Sequence, residues 1–334
     1  MKKLDFKKNS KYQKRYLIFG NGFIAQHYAA HLLKKGTDVL VVFHTKKTYT
    51  LPSTIQAPAP ANIASIQRLL RSFKPHYIIL TQGISFIPDN ERELDRSIKS
   101  NVMAPLIVIE ATYLLAKSDK SFRMPEKILT FGSAAEYGYS DRRKWKEISQ
   151  HTKPSSLYGL VKHWLFEVSQ YYANLGVPCV HLRHFNAIGA GQDHRFVVSS
   201  FCRQVALMEL GKQATILSFG DLSQRRDFVD IRDAVHAYDI AIKKASPGQV
   251  INVCSGVPHA VADILNILKR LTLVDFSTRV DTTLIAEKRT REKALIGIPE
   301  WLQEQGWKSS LSLEQSVEWV LEYWREKLRR EKRV

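Results

Sequence analysis

Apolar residues recur in this chain as short continuous runs set between longer segments of helical period. Tyr16 to Phe19 (YLIF), Asp38 to Phe43 (DVLVVF), His76 to Thr81 (HYIILT), Lys127 to Phe131 (KILTF) and Pro178 to Leu182 (PCVHL) read as strands. Runs of this kind mark strands covered on both faces. The segment after Gly20–Ala25 to about Lys35, Ile63 to Phe73, residues 90–117 and residues 155–172 read as helices, with Asn101 mid-helix and Pro105 a kink. Residues 51–62 (LPSTIQAPAPAN) are rich in Pro and Ala and read as a loop. Strand–helix alternation predicts an α/β fold built on a parallel, doubly wound sheet. After about residue 190 the pattern is mixed, with helices near 197–210, 231–245, 260–271 and 313–330 and strands near 214–219 and 249–253. The expected division is a basic tail (1–15), a main α/β domain (16–185) and a smaller mixed lobe (186–330) interleaved with it.

The helix at 155–172 carries candidate chemistry. Ser155 or Ser156 can cap it. Leu157, Leu160, Val161, Trp164, Leu165 and Val168 form its apolar stripe. Tyr158 and Lys162 lie one turn apart at the edge of that stripe. An ammonium beside a phenol favours the phenolate, so Lys162 is expected to lower the Tyr158 pKa and make it a usable acid or base.

A second candidate follows the first strand. Gly20-Asn21-Gly22-Phe23-Ile24-Ala25 is Gly-x-Gly-x-x-Ala between strand and helix, the context of a Rossmann-type dinucleotide site. The glycines let the backbone approach a pyrophosphate, and the helix start attracts its charge. At the end of the second strand an NAD-selective site usually carries a carboxylate. Here His44-Thr45-Lys46-Lys47 stands instead, which suits the 2′-phosphate of NADP. NADP(H) is therefore the expected cofactor and NAD(H) the alternative. Gly20, Gln82, Ser133 and Asn186 all fall just after strand ends, where doubly wound sheets bind ligands.

Composition adds bounds. The net charge is +18, from 50 basic and 32 acidic residues. Seven of the first 16 residues are Lys or Arg, and the tail WREKLRREKRV adds six. Charge alone speaks to solubility and weak anion binding, and no nucleic-acid motif accompanies it, so a nucleic-acid partner is not expected. Cys179, Cys202 and Cys254 are scattered, which suggests buried thiols and neither a disulfide framework nor a metal site. No apolar run approaches the ~20 residues that span a bilayer. The start reads as no signal peptide, so a cytoplasmic location without membrane association is expected.

Further segments stand in order along the chain. They are Ser133-Ala134-Ala135-Glu136-Tyr137-Gly138, Leu182-Arg183-His184-Phe185-Asn186, Gly189-Ala190-Gly191-Gln192, Arg226-Asp227-Phe228, Asn252-Val253-Cys254-Ser255-Gly256 and Gly306-Trp307. With the Gly20 turn and the Tyr158–Lys162 pair, they resemble the extended short-chain dehydrogenase/reductase family, which acts on nucleotide sugars. The resemblance covers nearly the whole chain. It implies that Ser133, Tyr158, Lys162 and Asn101 are the catalytic group. It places Gly20, Gly22, Phe23, Ile24, His44, Lys46, Asn62, Thr81, Gln82 and Gly83 at the cofactor, together with Tyr158 and Lys162. Asn62 stands where an adenine-contacting aspartate is usual. Ser133, Asn186, Arg203, Arg226 and Arg289 fall at the nucleotide-sugar substrate.

Within the family, the segments from Phe185 to Gln204, at Arg226-Asp227-Phe228 and at 252–256 most resemble its reductases of GDP-linked 4-keto-6-deoxyhexoses. Ala134 and Ala135 stand where the family's dehydratases place an acid–base pair, and two alanines cannot move sugar protons. The resemblance thus implies reduction of a nucleotide-linked 4-keto-6-deoxyhexose with Tyr158 as proton donor. A nucleotide-sugar 4-epimerase holding NAD is the rival, and a non-catalytic nucleotide- or nucleic-acid-binding relative is the third reading. Relatives often pair through their long helices, so a homodimer is expected.

Overall fold

The structure is a computed structural model. It describes residues 13–43, 55–58, 62–138, 144–147, 152–222, 224–284 and 294–331. In chain order the elements are β1 (Arg15–Phe19), α1 (Phe23–Lys34), β2 (Asp38–Phe43), β3 (Ile55–Pro58), α2 (Ile63–Phe73), β4 (Tyr77–Leu80), α3 (Ile87–Arg92), α4 (Leu94–Ile98), α5 (Ala104–Ser118), β5 (Lys127–Ser133), α6 (Leu157–Asn174) and β6 (Cys179–His184). There follow β7 (Asn186–Ile188), α7 (Val197–Glu209), β8 (Ile216–Phe219), β9 (Arg225–Asp230), α8 (Ile231–Lys244), β10 (Val250–Val253), β11 (Pro258–Ala260), α9 (Val261–Leu271), β12 (Ser277–Val280), β13 (Ala294–Leu295), α10 (Glu300–Glu304) and α11 (Leu313–Glu331).

Seven strands form one sheet in the order β10-β6-β5-β4-β1-β2-β3. Ile18 of β1 lies opposite Val41 of β2 and Ile79 of β4, in parallel register on both sides. The winding reverses between β1 and β4, and a doubly wound sheet opens its ligand crevice at that switch point. Gly20 and Thr81 directly follow these two strands.

Two sequence expectations are corrected. Residues 51–62 are not all loop, because Ile55–Pro58 pairs in parallel with β2. This strand sits at the sheet edge, where a proline is tolerated. The helix expected over 90–117 breaks at Glu93, between α3 and α4, where the backbone leaves helical angles. From Leu94 the chain stays helical, α4 passing through a π turn, Lys99–Met103, directly into α5, which carries Pro105 in its first turn. The stretch Leu94–Ser118 is also long and apolar enough to cross a membrane by length and composition, which short apolar runs had not suggested. Within it Val108, Ile109, Ala111 and Leu115 are buried in a protein core, as in the central helix of a globular protein.

The chain packs into two compact units. The first comprises Met1–Glu136, Ser156–Leu182 and Tyr238–Ile251. Its core sets Leu17, Leu40, Ile78 and Ile128 of the strands against Leu70 and Ile109 of the helices. The second comprises Tyr137–Ser155, Arg183–Ala237 and Asn252–Val334. There α7, α9 and α11 pack through Val205, Leu268, Val320 and Trp324, and the Trp324 indole N–H donates to Ser199 Oγ at 3.0 Å.

Candidate active site

The start of α6 is fixed from two directions. Of the two serines, Ser156 is the cap, its hydroxyl accepting the Gly159 N–H at 3.1 Å. Gly159 then lets the helix settle on the segment after β5, since a Cβ there would fall 2.4 Å from the Ala135 carbonyl oxygen. The face that α6 buries is Gly159, Val161, Lys162, Leu165, Ser169 and Tyr172. The expected apolar stripe is thus displaced: Trp164 is 39% exposed, while Lys162 and Ser169 turn inward. They can do so because each meets a polar partner, Phe131 O for Lys162 and Thr130 Oγ1 for Ser169. Ser156→Ala should cost about 1 kcal/mol, read as a lower midpoint in denaturant unfolding.

Within the first unit the fold gathers Gly83, Asn101, Ser133, Tyr158 and Lys162. Lys162 Nζ donates to Phe131 O at 2.9 Å and lies 5.9 Å from the centre of the Tyr158 ring. The Ser133 side chain is hydrogen-bonded to Tyr158. Asn101 sits in the π turn, a feature common at functional sites, and its Nδ2 donates to Ser97 O at 3.1 Å. Gly83 closes the group. A Cβ on it would lie 2.4 Å from Asn101 Oδ1 and 3.3 Å from Lys162 Nζ, and its φ of +142° suits only glycine.

The electrostatics differ from the expectation that Lys162 lowers the Tyr158 pKa. Burial dominates both groups. It pushes Tyr158 up to about 12, the Ser133 hydrogen bond opposing and the Glu136 charge adding. It pushes Lys162 down to about 8, with the Glu136 charge opposing. Both side chains therefore carry their proton at neutrality. A neutral phenol with a hydroxyl and an ammonium beside it can give a proton to an oxyanion.

The turn after β1 meets the requirements of a dinucleotide pyrophosphate. Gly20 has φ +110°, and a Cβ there would fall 2.7 Å from Thr81 Oγ1, whose hydroxyl donates to Phe19 O at 2.8 Å. Among the described residues, a Cβ on Gly22 would meet nothing within 4 Å. Helix α1 has no side-chain cap and no acidic residue in its first turn, leaving the first amides, including those of Phe23 and Ile24, for an anion. Among the described residues, both side-chain polar atoms of Asn21 and Oε1 of Gln82 are buried without a hydrogen-bond partner. A bound polar group would satisfy them. Asn62 caps α2, accepting the Ser65 N–H at 3.0 Å, which commits its oxygen and leaves its amide N–H groups for another contact. His44, Lys46 and Arg289 lie outside the described residues.

The remaining expected substrate residues belong to the second unit. Asn186 on β7 donates from Nδ2 to Asp227 O at 3.1 Å, and its strand pairs with β9. Arg226 on β9 bonds to Gln224 Oε1 and to Arg225 O. Arg203 lies on α7 with its guanidinium 5.8 Å from the Trp324 ring centre. The residue that sequence reasoning passed over is Asp227. Its buried carboxylate accepts from Ser255 N and Oγ at 2.7 Å, Gly256 N at 3.0 Å and Gly297 N at 3.1 Å. Arg226-Asp227 and Ser255-Gly256 stand as separate motifs in the sequence, and an aspartate opposite a Ser-Gly turn is the signal that joins them.

The family model described as the NAD-dependent epimerase/dehydratase family matches residues 16–254. GDP-6-deoxy-D-mannose reductase of Pseudomonas aeruginosa is 25% identical over 96% of this chain and 99% of its own length. UDP-glucose 4-epimerase of Halalkalibacterium halodurans is 26% identical over 76% of this chain and 78% of its own. Among solved structures, that of RMD from Pseudomonas aeruginosa complexed with NADPH superposes with a TM-score of 0.77 at 24% identity, covering 94% of this chain and all of that one.

Proposed function

The chain belongs to the NAD-dependent epimerase/dehydratase family, and we propose that it reduces a nucleotide-linked 4-keto-6-deoxyhexose, with a GDP-sugar as the favoured substrate and NADPH as the favoured reductant. The observation that carries this reading is Tyr158, held protonated and hydrogen-bonded to Ser133. The alanines Ala134 and Ala135 that follow offer no second acid or base. Similarity to GDP-6-deoxy-D-mannose reductase along 96% of the chain supports the choice of sugar.

A bound nicotinamide dinucleotide supplies a hydride to the sugar carbonyl carbon. The chain does the rest. The Gly20–Ile24 turn, with the Asn21 side chain, holds the pyrophosphate against the start of α1. Ser133 donates a hydrogen bond to the carbonyl oxygen and stabilises the charge that develops there. Tyr158 Oη gives its proton to that oxygen, and the proton is later restored from solvent. Lys162 keeps a positive charge beside the phenol and holds the nicotinamide ribose. Asn101 packs against Gly83, close to which Lys162 Nζ also lies. Asn186 and Arg226, with Arg289, grip the diphosphate of the substrate, and Arg203 completes that set.

The same Ser133, Tyr158 and Lys162 would serve an epimerase that oxidises and re-reduces the sugar, and the 26% identical UDP-glucose 4-epimerase favours that as the second reading. The test is oxidation of NADPH and of NADH against GDP-, dTDP- and UDP-linked 4-keto-6-deoxy sugars. Turnover with the GDP-sugar and NADPH is expected. Purified protein that carries one NAD per chain and interconverts sugars without consuming added cofactor would install the epimerase instead. We further infer a homodimer, supported by the exposed Trp164 and Tyr171 of α6 and Leu175 at its end, and sedimentation equilibrium reads it directly.

A further inference from the structure

Directly behind Ser133 lies a pair of ionisable side chains for which the mechanism above has no use. Glu136 and His181 are both 0% exposed. His181 Nε2 lies 3.1 and 3.3 Å from the two carboxylate oxygens of Glu136. On its other side, His181 Nδ1 is 2.9 Å from Thr130 Oγ1, which is itself 2.9 Å from Ser169 Oγ. Glu136 Oε1 also accepts the backbone N–H of Ser133 at 2.6 Å. Gly132 makes room for the pair, because a Cβ there would fall 2.0 Å from Glu136 Oε1 and 2.2 Å from His181 Nε2.

Burying two ionisable groups costs solvation that two apolar side chains of the same volume would not lose. Here the buried carboxylate bonds the very residue that carries the reactive hydroxyl. We propose that Glu136 and His181 are positioning residues for catalysis: the Glu136 carboxylate clamps the Ser133 backbone and presents a fixed negative charge to Tyr158 and Lys162, while His181, anchored through Thr130 and Ser169, holds that carboxylate still. The inference rests on the reading that Ser133, Tyr158 and Lys162 carry the reaction.

The charge acts in one direction on both groups. Glu136 opposes the effect of burial on Lys162 and adds to it on Tyr158, so it favours the proton on each. Other charged groups around α6 are less well placed. On its own helix lie His163 and Glu167, paired at 3.4 Å. Asp95 and Lys99 pair with each other at the surface, as do Glu93 and Arg96. Asp89 and Arg92 lie on α3, and Glu110 of α5 binds the Tyr172 hydroxyl.

The test is Glu136→Gln in the full-length enzyme, assayed with NADPH and whichever keto sugar the wild type reduces. The variant keeps the size and an acceptor for the Ser133 amide but loses the charge. The turnover number kcat should fall roughly 10- to 100-fold with KM for the sugar changed by less than about 3-fold. The alkaline limb of the pH profile should move to lower pH by about one unit, because Lys162 then loses its proton more readily. A second variant, Glu136→Met with His181→Leu, replaces the pair by apolar groups and should fold, as judged by circular dichroism, yet show the same loss. Unchanged kcat and an unchanged pH profile in a folded variant would overturn the inference, and so would failure of both variants to fold. A wild type that reduces no keto sugar defeats the parent reading instead. In that case NADPH binding against pH, read by nicotinamide fluorescence, carries the test: an alkaline loss of binding at lower pH in Glu136→Gln supports the pair's role, and identical curves overturn it.

Discussion

Tyr158→Phe is expected to lower turnover about 1,000-fold while the protein melts within about 4 °C of the wild type. The substitution removes one oxygen and keeps the ring, so the packing of α6 is preserved. What is lost is the proton that the developing alkoxide must receive. Because burial holds Tyr158 protonated up to about 12, the wild type has that proton across the whole working range. Activity should instead fail on the alkaline side as Lys162 deprotonates, with a folded-state value pushed down to about 8. Loss of the ammonium leaves the site without its positive charge as pH rises through that value. Steady-state kinetics from pH 6 to 10 on both proteins, with circular dichroism melts, read all of this. Full activity in Tyr158→Phe would remove the phenol from the mechanism.

Asp227→Asn should destabilise the second unit by about 3–5 kcal/mol. The carboxylate accepts from four donors, two on Ser255 and one each on Gly256 and Gly297. Asparagine has the same shape but offers one acceptor oxygen and points an N–H₂ at donors. At least one backbone amide, and two if the N–H₂ faces Gly256 and Gly297, then loses its partner in a buried place. The same change loosens the strand that carries Arg226 and the carbonyl that Asn186 binds, so KM for the sugar should rise as well. Urea unfolding of the two proteins, followed by circular dichroism, gives the difference. A difference below about 1 kcal/mol, the worth of one ordinary hydrogen bond, would mean that the turn is held by other means.

Most of the first unit can be read from its residues. Short β-rich runs and helical periods place β1, β2, β4, β5 and β6 with their helices, because strands covered on both faces leave continuous apolar runs. β3 escapes the same reading: its Ala and Pro lack the β-branched signal, and only an edge position admits it. The site divides similarly. Gly20, Tyr158 and Lys162 are visible because each motif is local. Glu136, His181 and Thr130 are not, since they meet only when β5 and β6 lie side by side. The sign of the Tyr158 shift was also hidden, because a lysine one turn away is a sequence fact whereas the depth of burial is a tertiary one. In the second unit the short β7, β11 and β13 have too few residues to show any period. Asp227 reads as one more charge until its four donors converge.

Neither unit is a continuous stretch of polypeptide, and this bears on how the protein is made. Residues 1–184 contain Ser133, Tyr158 and Lys162, yet a ribosome that has delivered only these leaves β6 as an open sheet edge. Its partner β10, Val250–Val253, emerges about 65 residues later. In that interval the nascent chain exposes a six-residue run of strand, Cys179–His184, every member of which is buried in the finished protein. An unpaired strand edge offers its free N–H and C=O groups to other chains. Synthesis through the intervening segment therefore sets a window in which folding competes with aggregation, and slow translation between residues 185 and 250 would widen it.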